Sequence, residues 1–177
     1  RDTTQWKRII ARAEEANEKG VNIRLQVAAR GIGVLLGLQA TFHPFMGFPS
    51  YMAIAHLPLE ERVLVMKDPG FKAKLLSEKS IPVSENSSIP PLVDEFLENL
   101  DFVSMRLYRL GDNFDYEPEP QHSILAEAYR RNTTALEIIY DAMLEDGGRE
   151  LLYFPLYNYL EQNLDAVHQM LNHPLSL

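Results

Sequence analysis

The sequence predicts an α/β fold with a parallel sheet. Two stretches, residues 21–29 and 101–108, alternate apolar and polar side chains, and residues 151–156 are apolar on both faces. Helical stripes stand between them, and helix-then-strand repetition is the pattern of βα units. At 177 residues the chain suits one domain with its own core.

The first helix is marked by Asp2 and Gln5 as an N-cap and N3 pair. Trp6, Ile9, Ile10, Ala13 and Ala16 form its stripe, and Gly20 is the stop. In the first strand Val21, Ile23, Leu25 and Val27 face one way; Asn22, Arg24, Gln26, Ala28 and Arg30 take the other register. Residues 31–50, rich in Gly, Phe and Pro, predict an irregular loop or short helical turns. Helices follow over 58–66 and 69–78, each opened by proline. A polar connector, 81–91, leads to a helix that starts at Pro91 and is striped by Val93, Phe96, Leu97 and Leu100. In the second strand Val103, Met105 and Leu107 oppose Ser104, Arg106 and Tyr108. An acidic loop, 111–120, precedes a helix over 121–131. Leu136, Ile139, Tyr140, Met143 and Leu144 then recur at helical spacing, closed by Gly147 and Gly148. After the third strand, Leu164, Val167 and Leu171 make a last stripe before Pro174.

Composition excludes several classes. The net charge of −8, from 17 basic and 25 acidic residues, argues against nucleic acid as partner. The absence of cysteine removes disulfides and thiolate metal sites, and fits a cytoplasmic home. Apolar runs are too short to span a bilayer, so no membrane association is expected, and no signal-type segment opens the chain. The first residue is Arg1, which is expected of a chain cut at its N-terminus. The five histidines, His43, His56, His122, His168 and His173, form neither HxH nor HExxH. His168 and His173 point roughly 140° apart on a helix, so they cannot share a metal.

What remains is placement. In a parallel barrel the active site lies at the C-terminal ends of the strands. Gln26 and Arg30 lie on the polar face and towards the end of the first strand. Arg106 and Tyr108 hold the matching places on the second, and Tyr157 and Asn158 close the third. These six are the expected substrate-binding residues; the other reading is packing or solvent-facing polar groups. Arg30 leads, because a guanidinium matches a carboxylate bidentately.

The wording of residues 135–174, ALEIIYDAMLEDGGRELLYFPLYNYLEQNLDAVHQMLNHP, resembles the late segment of an N-acyl-D-amino-acid deacylase of the amidohydrolase superfamily. Residues 22–69, NIRLQVAARGIGVLLGLQATFHPFMGFPSYMAIAHLPLEERVLVMKDP, resemble the segment after that family's sixth barrel strand, where members carry an insertion over the active site. The resemblance implies a partial (β/α)8 TIM barrel, with residues 31–90 as the helical insertion. It also implies a metal-dependent enzyme that hydrolyses linear amide C–N bonds in N-acyl amino acids, using zinc in the full-length protein. The family's zinc residues, an early HxH and a late aspartate in a run like SDGGAH among them, map onto no position here. No catalytic residue, no zinc and no activity are therefore expected of this chain alone. Three strands cannot close a barrel, so a homo-oligomer is expected. The alternative is a non-catalytic α/β module that binds a small acid or a partner chain.

Overall fold

The computed structural model describes residues 2–83 and 92–177. The chain is a mixed α/β fold that divides into two compact units, Arg1–Gly33 with Pro155–Leu177, and Val34–Phe154.

In the first unit, helix α1 (Gln5–Glu18) ends as its glycine predicts. Gly20 takes φ +84°, its amide bonds the Asn17 carbonyl, and the Val21 amide reaches the Ala16 carbonyl, both at 2.9 Å. This paired arrangement satisfies carbonyls that the helix leaves open. The stripe is only partly covered, with Ala13 buried and Ile9 exposed. Residues 21–29 are not the strand that their alternation predicts. Among them Leu25 alone bridges, in parallel, to Ser176, and the Ile23 amide turns back onto the Val21 carbonyl at 3.1 Å. Alternation states which side chains could share a face, but a strand also needs a partner backbone. Here Val21 and Ile23 stay exposed. Helix α9 (Asp165–Leu171) buries Val167, and beyond it His173 pairs with Glu14 at 3.1 Å.

Strand β1 (Ile32–Leu36) falls where the sequence predicts a loop. In the second unit, helix α2 (Pro49–Ile54) follows a short 3-10 turn at Pro44–Gly47. Helices α3 (Leu59–Met66) and α4 (Pro69–Ser77) match expectation; Asp68 caps α4 by accepting from the Phe71 amide at 2.8 Å. Most of the 81–91 connector and the expected start at Pro91 lie outside the described residues. Helix α5 (Leu92–Glu98) carries the buried Phe96.

The second expected strand is mostly helix. Helix α6 (Leu100–Ser104) occupies its first part, and β2 is only Tyr108–Arg109. The burial explains the choice. Val103, Ser104 and Leu107 are buried while Phe102 and Met105 are exposed, a spacing of three to four and not of two. Helices α7 (Ile124–Arg131) and α8 (Ala135–Met143) pack on each other, capped by Ser123 and Thr134. Strand β3 (Leu152–Tyr157) lies within one residue of its predicted place.

The strand order is β1-β3-β2, and β2 pairs antiparallel with β3, Tyr108 opposite Tyr153 and Arg109 opposite Leu152. This corrects the expected parallel arrangement of these two strands. One crossover helix returns a chain to its starting direction; two successive helices, α7 and α8, reverse it once more.

Between α8 and β3, Asp146, Gly147 and Gly148 all take positive φ. Gly148 sits at +85°, and a Cβ there would lie 2.5 Å from Val63 Cγ2. Gly20 has a similar φ and open space around it. Gly148→Ala is therefore expected to cost about 2–4 kcal/mol, combining left-handed strain with overpacking, and Gly20→Ala about 1 kcal/mol. Urea unfolding of the two variants checks this; equal losses would remove the packing role of Gly148.

Candidate functional site

The six residues expected at the site fall in both units. Gln26 and Arg30 are exposed in the segment that follows α1 in the first unit. Arg24 donates to Asn17 Oδ1 at 3.3 Å and to the Ile23 carbonyl at 3.2 Å, whereas the Arg30 guanidinium has no partner among the described residues. Tyr157 ends β3 and is 54% exposed. Asn158 takes the left-handed conformation, φ 61°, which asparagine tolerates better than most residues. Its Nδ2 donates to the carbonyls of Ala28 at 3.2 Å and Arg30 at 3.4 Å. The structure thus brings the Arg30 segment and the end of β3 together, with Asn158 as the clamp.

Arg106 and Tyr108 belong to the second unit. Arg106 lies over the Phe102 ring, Cζ 5.3 Å from its centroid, and its buried Nε has no partner. Tyr108 is 2% exposed and lines a cavity of about 210 Å3 with Arg109, Phe114, Asp115 and His122. A second cavity, of about 100 Å3, lies in the first unit and is lined in part by Tyr157 and Asn158.

Two polar clusters of the second unit were not foreseen from the sequence. In the first, His43 is 3% exposed and its Nδ1 accepts from the Phe45 amide at 3.3 Å, so its proton is on Nε2. The His43 ring meets Tyr51 edge-on at 4.5 Å, and Arg62 donates to the Tyr51 hydroxyl at 2.6 Å and to the Leu38 carbonyl at 3.2 Å. Burial, helped by the Arg62 charge, pushes the His43 pKa down to about 3. Burial pushes the Tyr51 phenol up, against the pull of Arg62. In the second cluster, Arg109 forks onto Glu127 at 3.0 and 3.1 Å and reaches Glu145 at 2.8 Å, while Arg131 takes Glu127 at 3.0 Å. Burial works against charge on both Arg109 and Glu127, yet their mutual bonds hold the Arg109 pKa up and the Glu127 pKa down. The only advance signal was a lone His-Pro before a helix. Tyr51 with Arg62, and Arg109 with Glu127, join different elements, so no local period links them.

Zinc is what the resemblance implies. Among the described residues no three His, Asp or Glu side chains converge, and the Nδ1 lone pair of buried His43 is already used. The donor set of the described residues does not fit the metal. Among the described residues no helix is long and apolar enough to cross a membrane. Comparison with protein-family models, curated proteins and solved structures finds no match.

His43 makes stability depend on pH. Its folded pKa lies below the unfolded value of about 6.5, so the unfolded chain takes up the proton first as pH falls. Its contribution is fully present above pH 6.5 and is lost progressively from there towards pH 3. Between pH 6.5 and 5 the unfolding free energy is expected to fall by up to about 1.4 kcal/mol per pH unit. His43→Asn keeps an acceptor for the Phe45 amide and should flatten that slope in urea titrations. An unchanged slope would place the pH dependence elsewhere.

Proposed function

We propose that the chain is part of a metal-dependent amidohydrolase that hydrolyses the linear amide C–N bond of N-acyl-D-amino acids. The reading is supported by the wording and order of residues 22–69 and 135–174. The observation that carries it furthest is the Asn158 clamp, which joins a residue of the second segment to the backbone of Ala28 and Arg30 in the first. In this reading Arg30 takes the substrate carboxylate bidentately, since it is exposed and otherwise uncommitted. Asn158, by holding the Arg30 carbonyl, positions the segment from which that guanidinium projects. In the whole enzyme zinc would supply Lewis-acid chemistry, and no residue of this chain is assigned to hold it.

The (β/α)8 barrel of the resemblance is part of the same proposal, for the whole enzyme. The antiparallel pairing of β2 with β3 requires the 108–109 segment to pair differently once neighbouring barrel strands are in place. The 177-residue chain is proposed to be inactive by itself and to self-associate. Among the described strands β1 and β2 are outermost, and β1 leaves Ile32 and Leu35 more than 40% exposed, at 45% and 43%.

In a longer version that restores the flanking sequence, zinc content and hydrolysis of N-acetyl-D-amino acids are expected together. There Arg30→Ala should raise KM by about tenfold to a hundredfold, the scale of a charged hydrogen bond, and Arg24→Ala much less. Absence of hydrolysis in zinc-loaded protein would sink the deacylase reading, and equal kinetics of the two variants would remove the role of Arg30. For the isolated chain, light scattering at micromolar concentration should give a mass above the 20.3 kDa monomer. A stable monomer would overturn the self-association.

A further inference from the structure

The cavity of the first unit, between the start of α1, the end of β3 and α9, plays no part in carboxylate binding by Arg30, which does not line it. We infer that it is a binding site for a short-chain organic amine, with the alkyl tail among its apolar walls and the ammonium group on Glu161.

The walls are Trp6, Tyr157, Leu160, Ala166 and Met170, enclosing about 100 Å3, room for a few methylene groups. The polar groups of the lining are mostly spent. The Asn158 amide is held by Ala28 and Arg30. Asn163 accepts from the Asp165 amide at 3.1 Å and donates to the Glu161 carbonyl at 3.3 Å. Asp2 is bound to Thr4 and, at 2.6 Å, to Arg8. The Glu161 carboxylate has no partner among the described residues. The other polar groups of the lining are Thr3, Gln5, the Tyr157 hydroxyl and the Trp6 indole N–H, and none of them is a carboxylate or a basic group.

This inventory selects the ligand. An anion would meet two carboxylates and no basic group among the lining residues. A neutral apolar molecule would fill the space but leave Glu161 unused. An alkylammonium uses both, and its charge is attracted by aromatic faces as well as by the carboxylate. The Lys7 ammonium, on the next residue and outside the lining, stands 5.3 Å from the centroid of the Trp6 ring.

Trp6 is the only tryptophan of the chain, so its fluorescence reports on this cavity alone. Three probes with one tail and different heads, n-butylammonium, n-butanol and n-butyrate, are titrated into the 177-residue chain at constant ionic strength. Saturable change with n-butylammonium is expected, about three- to fivefold tighter than n-butanol, the scale of an exposed ion pair, with n-butyrate weakest. Glu161→Gln should bring n-butylammonium to the n-butanol value, and Ala166→Leu, by filling the space, should weaken all three. Equal affinity for the three heads would reduce the cavity to an apolar depression. No saturation with any probe, or no effect of Glu161→Gln on the amine, would overturn the proposal outright. None of these readouts depends on hydrolysis, so the amine site and the deacylase reading stand or fall separately.

Discussion

Tyr140 is the constraint on which the second unit depends. It is fully buried on α8, and its hydroxyl donates to the Met66 carbonyl at 2.7 Å. Met66 ends α3, so this carbonyl is one of those that a helix terminus leaves open, and burying it unpaired would cost about 1–3 kcal/mol. The same ring meets Phe45 edge-on at 5.4 Å, with the Lys72 ammonium 5.9 Å from its centroid. Lys72 in turn bonds Glu137 at 2.9 Å and Asp141 at 2.7 Å, tying α4 to the helix that carries Tyr140. One side chain therefore connects α3, α4, α8 and the 3-10 turn. Desolvation, joined by the charges of Asp141 and Asp68, pushes its phenol pKa up and keeps the hydroxyl a donor.

The two units use their ionisable groups differently. In the second, Lys72, Arg109 and Glu127 are held within partly buried networks and Arg62 within a buried aromatic cluster. A charge committed in this way fixes geometry, but it has little left for a ligand. The first unit is more open. Its pairs, such as Lys19 with Glu15 and Arg8 with Asp2, are exposed and contribute little to stability. Arg30 and Glu161 are among its charged side chains that have no partner among the described residues, as are Arg12 and Glu18.

Much of the helical structure was legible in the sequence. Gly20 marks the end of α1, prolines open α3 and α4, and the Leu136, Ile139, Tyr140 and Met143 stripe gives α8. These features are local, since capping and helical spacing act within a few residues. The alternating stretches misled. Val103 and Leu107 are spaced for either a strand or a helix, and only the burial of Ser104 beside them selects α6. Of the site residues, Tyr157 and Asn158 were placed at the end of their strand. The fork of Arg109 on Glu127 was invisible, because it joins elements that no local period relates.

The sequence by itself determined the ends of α1, α3, α4 and α8 and the place of β3, because each follows from neighbours along the chain. Tertiary structure decided which extended segments became strands, the antiparallel pairing of β2 with β3, and the burial of His43 beside Tyr51. Those outcomes depend on which distant backbone supplies hydrogen bonds and which distant side chains exclude water, and neither is written in local spacing.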